Sequence, residues 1–340
     1  MNIVITGGAG FLGVRLAREL IRKGQLSLAG AAPQAIARIT LLDRVAPPAD
    51  LAADPRVKAL TGDLNDLLKP EAVRTALAQD THLVFHLAAA VSGECEADFD
   101  LGMRSNFAAT HQLLEACRAL GTKPTLVFAS SLAVFGNSPE QPTPAIIEDN
   151  TLPTPLTSYG IQKFIGEQMV ADYGRKGFIR GRNVRLMTVS VRPGRPNGAA
   201  SSFFSGMIRE PLAGVKGACP VPPETPVALS SPGRTIEGII RAAEADDKSW
   251  GARTAVNLPA FCTTVGEMAA ALERVAGKAA ANLIDWTPDP AIMKIVATWP
   301  GGINATRARG LGLLPDGSFD AVIREYLLEN PDAVKLPVTP

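Results

Sequence analysis

Short apolar runs rich in β-branched residues alternate with stretches in which apolar positions recur every three or four residues, and this rhythm fills the first half of the chain. A brief run bounded by polar or glycine residues reads as a buried strand, whereas a three-four recurrence reads as a helix with one face turned to a core. Residues 2–6, 38–42, 57–60, 83–87 and 125–129 are therefore expected as strands, with a further one over 184–191. Residues 14–22, 73–78, 106–120 and 158–173 are expected as helices, and the Ala- and Gly-rich segment 26–37 as a loop. Strands separated by helices cannot be hairpin partners, so the fold class is α/β, a doubly wound parallel sheet.

Past residues 192–196 Pro, Gly and Ser become frequent through residue 232, which marks a change of organisation. A helix is expected over 234–245, a strand returning to the sheet over 254–258, and a helix over 264–276 capped by Thr263 or Thr264. The segment 283–286, a proline-bounded helix near Ala291, a helix over 318–328 and a tail that frays toward Pro340 complete the reading. The expected organisation is a first domain of residues 1–192, to which 233–260 return, and a smaller mixed α/β lobe of 193–232 and 261–335.

The 340 residues are 46% hydrophobic with a net charge of +1, too long for the smallest single core. No basic run interleaves with aromatics, which argues against nucleic acid and for a small-molecule partner. The apolar stretches fall well short of a membrane span, and Met1 enters a strand within two residues, leaving no room for a signal peptide. The expectation is a cytoplasmic protein with no membrane partner. Cys95, Cys117, Cys219 and Cys262 lack CxxC spacing and read as reduced, mostly packed thiols. His82, His86 and His111 form no metal-ligand cluster, so no metal is expected, and His86 reads as a structural group at a strand end.

Two constellations carry chemistry. Gly7, Gly10 and Gly13, in Thr6-Gly-Gly-Ala-Gly-Phe-Leu-Gly13, follow a strand and open a helix. Without side chains the backbone can approach a pyrophosphate closely, and amides at the positive helix end can face the anion. The pattern GxxGxxG departs from the dinucleotide fingerprint GxGxxG by one inserted residue. Asp43 closes the second strand, where a carboxylate accepts both ribose hydroxyls and repels a 2′-phosphate, favouring NAD over NADP. It lies 30 positions after Gly13, against about 20 in the fingerprint.

Tyr159 and Lys163, in Ser158-Tyr-Gly-Ile-Gln-Lys163, stand four apart and share one helix face. A phenol of pKa about 10 accepts a proton at neutral pH only where a positive charge favours the phenolate, and lysine supplies one. Lowering that pKa by about three units requires roughly 4 kcal/mol of differential interaction.

These residues, with Gly62-Asp-Leu64, His86 to Ala89, Asn106, Thr110, Leu113-Leu-Glu-Ala116, Ser130-Ser-Leu-Ala-Val-Phe-Gly136 and Arg192-Pro-Gly194, closely resemble the extended short-chain dehydrogenase/reductase superfamily, which includes sugar-nucleotide epimerases and NAD-dependent dehydrogenases. The resemblance spans nearly the whole chain, and the wording of the motifs is most similar to dehydrogenases of four-carbon sugar acids. It implies that Ser131 holds the substrate hydroxyl, Tyr159 is the general base, and Lys163 binds the nicotinamide ribose while depressing the Tyr159 pKa. It further implies an NAD site of Gly7, Gly10, Phe11, Leu12, Gly13, Asp43, Asp63, Leu64, Leu87, Ala88, Ala89, Asn106, Tyr159, Lys163 and Pro193. Asn106 is equally readable as a side chain that satisfies a kinked backbone. A homodimer through helices near 106–120 and 158–173 is also implied.

Two departures narrow the substrate. The segment after Arg192-Pro is Gly194-Arg-Pro-Asn-Gly-Ala-Ala-Ser-Ser-Phe-Phe204 where relatives acting on sugar nucleotides commonly carry a Tyr-Gly-Pro-like loop, and Phe135 replaces a frequent tyrosine. Small residues and two phenylalanines favour a compact substrate. A sugar acid brings a carboxylate that calls for a bidentate cation, and Arg192, Arg195, Arg209 and Arg234 are available, Arg234 foremost because it stands just ahead of a helix. The expected activity is NAD-dependent oxidation of a secondary hydroxyl of a small sugar acid. A sugar-nucleotide epimerase or dehydratase using NAD transiently, and a non-catalytic nucleotide sensor, are the alternatives.

Overall fold

The computed structural model describes residues 1–194 and 198–336, so Arg195 and the end of the tail expected to fray lie outside the described residues. The chain forms two compact units. The first comprises Met1–Ser131, Ser158–Arg185 and Ile236–Val256; the second comprises Leu132–Thr157, Leu186–Thr235 and the described residues from Asn257 onward.

The first unit is built on seven strands: β1 (Asn2–Thr6), β2 (Arg38–Asp43), β3 (Val57–Thr61), β4 (Leu83–His86), β5 (Thr125–Ser131), β6 (Arg180–Leu186) and β7 (Val256–Asn257). Their spatial order is β7-β6-β5-β4-β1-β2-β3. The β1–β2, β2–β3, β1–β4 and β4–β5 ladders are all parallel. Because β2 lies on one side of β1 and β4 on the other, the winding reverses between β1 and β4. The carboxyl ends at such a reversal open a crevice, which is where ligands bind in open α/β sheets. Strands β1, β4 and β5 are almost wholly buried, and that explains their unbroken apolar runs.

Helices α1 (Phe11–Lys23), α2 (Ala109–Leu120) and α3 (Ser158–Arg175) position the residues of interest. Helix α2 sends Leu113, Leu114 and Cys117 into a core with Val4, Val84, Leu126, Phe128 and Val170. Each large side chain buried there contributes about 1.5–3 kcal/mol. Helix α1 ends at Gly24, whose φ of 66° is the left-handed cap that glycine adopts without strain.

Three segments differ from the sequence reading. Residues 26–37 are not a plain loop: Gln25–Leu26 pairs antiparallel with Gln34–Ala35, and Leu26 and Ile36 are buried. The helix expected from residue 106 starts earlier as a π-helical turn, Met103–Ala108, that runs into α2. The single strand expected over 184–191 is two, because β6 ends at Leu186 and Thr188–Val189 belongs to another sheet.

That sheet lies in the second unit. Pro226–Ser230 pairs parallel with Thr188–Val189 and antiparallel with Phe261–Thr264. Its core gathers Phe204, Met207, Ile208, Leu212, Met268, Leu272, Phe319 and Ile323. Thr264 caps the helix Val265–Ala281 by accepting from Glu267 N, and Ser318 caps Phe319–Glu329 by accepting from Ala321 N. Cys95, Cys117 and Cys219 are buried free thiols and Cys262 is exposed. Among the described residues no helix is long and apolar enough to cross a membrane.

Candidate active site

The glycine turn is tightly fitted where β1 meets α1. Gly7 has a φ of 69° and its amide donates to Leu42 O at 2.8 Å; a Cβ there would stand 2.8 Å from Ala88 N. A Cβ on Gly13 would come within 2.1 Å of Gly7 O. Helix α1 therefore starts directly against the strand, and Gly10 caps it without a side chain, leaving the positive end of the helix approachable by an anion.

Asp43 reaches this turn although 30 positions separate it from Gly13. In the parallel register Thr6 stands opposite Leu42, so the end of β2 lies beside the end of β1 however long the connection is. Asp43 Oδ2 accepts from Ala9 N at 3.0 Å and Gly10 N at 3.1 Å. Asp63 caps the short helix Leu64–Leu67, accepting from the side chain and backbone of Asn65, and those bonds hold its carboxyl below the usual carboxylate range. Glycines that exclude side chains and a carboxylate at the adjacent strand end suit a dinucleotide.

The end of β4 is fixed by a buried chain of hydrogen bonds. Thr110 Oγ1 donates to Asn106 O at 2.6 Å, which spends its only hydrogen. His86 Nε2, 2.9 Å away, must therefore be the donor to Thr110. Burial, with a smaller push from the Lys163 charge, lowers the His86 pKa to about 3, so the ring is neutral and its Nδ1 accepts from Thr6 Oγ1 at 2.6 Å. Thr6 Oγ1 in turn accepts from Ala88 N at 3.2 Å. Asn106 holds the far end of the same segment: its Oδ1 accepts from Ala90 N at 2.8 Å, and its Nδ2 donates to Ala90 O at 3.1 Å and Gln162 Oε1 at 2.8 Å. Leu87, Ala88 and Ala89 are thereby pinned on both sides, and the side chain of Asn106 satisfies backbone.

Ser131 is the last residue of β5, and Tyr159 and Lys163 are on the first turns of α3. Gly166 allows the helix to lie on the strand, since a Cβ there would stand 2.5 Å from the Phe128 ring. Lys163 is only 3% exposed. Its Nζ donates to Ala129 O at 2.8 Å and stands 4.9 Å from the Phe128 ring centre and 5.7 Å from that of Tyr159. Desolvation pushes the Lys163 pKa down to about 8, opposed by the neighbouring Cys95 and Glu167. An ammonium close to a half-buried phenol, in surroundings that screen charge poorly, is an arrangement able to favour the phenolate.

The glycine-turn residues, Asp43, Asp63, Leu64, Leu87 to Ala89, Asn106, Ser131, Tyr159 and Lys163 all lie in the first unit. Pro193 and Arg234 belong to the second unit. Arg234 is half-buried in the first turn of the helix Pro232–Glu244, its amide donating to Ser231 Oγ. Arg209 is committed elsewhere, to Arg192 O at 2.7 Å and to Glu210. Phe204 is fully buried in the second core with Phe203 against it, ring centres 4.0 Å apart, so it serves packing. The sequence reading assigned no role to Gln162, Ser130, Glu167 or Arg185, all buried and polar. Glu167 carries a signal, since it follows Lys163 by one further turn; Arg185 carries none.

Residues 3–225 match the NAD dependent epimerase/dehydratase family. The chain is 51% identical over 327 residues to the D-erythronate dehydrogenase of Cupriavidus necator, covering 96% of this chain and 98% of that one. It is 40% identical to the D-erythronate dehydrogenase of Haemophilus influenzae, with 96% and 99% covered. The crystal structure of the nucleoside-diphosphate-sugar epimerase from Agrobacterium tumefaciens superposes with a TM-score of 0.88 at 39% identity, covering 98% of this chain and 95% of that one. The chain belongs to the NAD dependent epimerase/dehydratase family, of the extended short-chain dehydrogenase/reductase type. It is an oxidoreductase, and its cofactor is NAD.

Proposed function

We propose that the protein oxidises the C2 hydroxyl of D-erythronate, or of a closely related small sugar acid, to the 2-keto acid. The observation that carries the chemistry is the buried Lys163 ammonium, anchored on Ala129 O and 5.7 Å from the Tyr159 ring centre. The substrate assignment is supported by the D-erythronate dehydrogenases to which the chain is similar along nearly its whole length. Bound NAD supplies the hydride acceptor. Ser131 orients the substrate hydroxyl, Tyr159 removes its proton as general base, and Lys163 keeps the phenol acidic enough to do so and binds the nicotinamide ribose. In this reading the first unit holds NAD through Gly7 to Gly13, Asp43, Asp63, Leu64 and Leu87 to Ala89, and Arg234 is the proposed partner of the substrate carboxylate. The protein works in the cytoplasm as a homodimer through faces of α2 and α3.

The epimerase reading draws support from the name of the Agrobacterium tumefaciens structure. The two readings part on net redox change. Purified protein with NAD is assayed for NADH absorbance against a panel of four-carbon sugar acids, other small hydroxy acids and sugar nucleotides. Turnover with D-erythronate that is lost in Tyr159→Phe supports the dehydrogenase. Failure of the whole acid panel, with a tightly retained cofactor and no net NADH, refutes it.

A further inference from the structure

The two residues that precede Ser131 in β5 are each tied to α3. Ala129 O accepts from Lys163 Nζ, and one turn further along the helix Glu167 Oε1 accepts from Ser130 Oγ. Tyr159, Lys163 and Glu167 recur every four residues and so share one helix face. Glu167 is 1% exposed, and the guanidinium fork of Arg185 on β6, itself 3% exposed, meets both its oxygens, Nε to Oε1 at 2.9 Å and Nη2 to Oε2 at 2.8 Å. The Glu167 carbonyl accepts from Asn183 Nδ2 at 3.0 Å. Two strands and a helix therefore converge on one residue directly beneath the candidate site.

A buried ion pair is an inefficient source of stability, because desolvating two charges offsets most of their attraction and an apolar pair of equal volume holds helix to sheet as well. Directed fork bonds instead specify height and rotation. We infer that Ser130, Glu167 and Arg185 form a positioning device that fixes α3 against the end of β5, so that Ser131, Tyr159 and Lys163 keep their mutual placement. This inference rests on the proposal that Tyr159 is the proton acceptor. Glu167 also brings a negative charge one turn from Lys163, against the desolvation that lowers the lysine pKa. Among the described residues, the other titratable groups around that ammonium are Tyr159 on the same helix, His86 at the end of β4, and Cys95 from the short helix Ser92–Ala97. His86 is held neutral and burial pushes the Cys95 thiol up to about 11, and the carboxylate near the ammonium is that of Glu167, paired with Arg185.

The test uses the full chain with Ser130→Ala, which removes one hydroxyl, and the pair Glu167→Gln with Arg185→Met, which removes both charges at similar volume. Tyr159→Phe serves as control. Each is measured for NADH formation with D-erythronate across pH, for NAD affinity and for thermal melting. Tyrosinate absorbance, taken as the difference with and without Tyr159→Phe in each background, reads Tyr159 ionisation without turnover. Ser130→Ala, in which the Arg185 fork still donates to Glu167, is expected to melt within a few degrees of the parent and bind NAD like it, with kcat about tenfold lower, inside the hundredfold that a 1 Å misplacement costs. The double variant is expected to remain folded, with Tyr159 ionisation and the rising limb of the pH profile both moved to higher pH. Parental kcat in Ser130→Ala together with an unmoved Tyr159 midpoint in the double variant overturns the inference while the catalytic proposal stands. Full activity in Tyr159→Phe removes the catalytic proposal and the inference with it.

Discussion

Replacing Lys163 by Met should cut turnover steeply without loss of stability, and the structure sets the magnitudes. The side chain is 3% exposed and its pKa falls from 10.5 to about 8, chiefly through desolvation. At roughly 1.4 kcal/mol per unit, the folded state bears about 3 kcal/mol of penalty for holding the charge. The sign follows from linkage: between the two values the unfolded chain binds more protons, so stability rises with pH there. The penalty is full below pH 8, where both states are protonated, shrinks as pH rises toward 10.5, and is gone above that. Methionine removes the penalty but leaves Ala129 O without its donor, which costs about 1–3 kcal/mol. At pH 7 the variant should therefore equal the parent or exceed it by up to about 2 kcal/mol, a rise in Tm of a few degrees at most. Near pH 10 the advantage should vanish or reverse. The assay is thermal melting of the NAD-free proteins at both pH values, beside NADH formation with D-erythronate, where a loss of about 10²–10⁴-fold matches removal of an activated base. A variant destabilised by more than about 2 kcal/mol at pH 7, or a stability difference that ignores pH, would refute the reasoning.

Two further outcomes follow from the same geometry. Gly13→Ala places a methyl 2.1 Å from Gly7 O, so either α1 or the turn must shift; NAD affinity should fall at least about tenfold, with a destabilisation of about 1–3 kcal/mol of the kind overpacking produces. Isothermal titration with NAD and a thermal melt check this, and parental values in both contradict a close-packed turn. His86 is neutral down to about pH 3 in the folded chain but protonates near 6.5 when unfolded, so the unfolded state binds more protons between those values and stability drains as pH falls through them. His86→Gln should flatten the acid limb of the stability curve in urea titrations between pH 6.5 and 3, and an unchanged slope would count against a buried neutral imidazole.

Local periodicity and composition determined much of this protein. The runs that became β1, β2, β4 and β5 announced a parallel sheet because strands covered on both faces must be apolar throughout, and the Thr263-Thr264 pair marked a helix start because an oxygen placed there satisfies an orphan amide. The sharing of one helix face by Tyr159 and Lys163 was legible for the same reason, since helical spacing is a property of neighbours in sequence. What tertiary structure alone decided are relations between distant segments. Spacing left Asp43 in doubt, and the parallel register of β1 with β2 placed its carboxylate on the glycine turn across a hairpin no periodicity revealed. The apolar run after residue 184 looked continuous, yet the chain leaves one sheet after Leu186 and joins another at Thr188, because a strand's partners rather than its own residues assign it to a sheet. Nothing in the sequence distinguishes Arg185 within its expected strand, and only the fold brings it onto Glu167, where burial turns an ordinary charge into a directed bond.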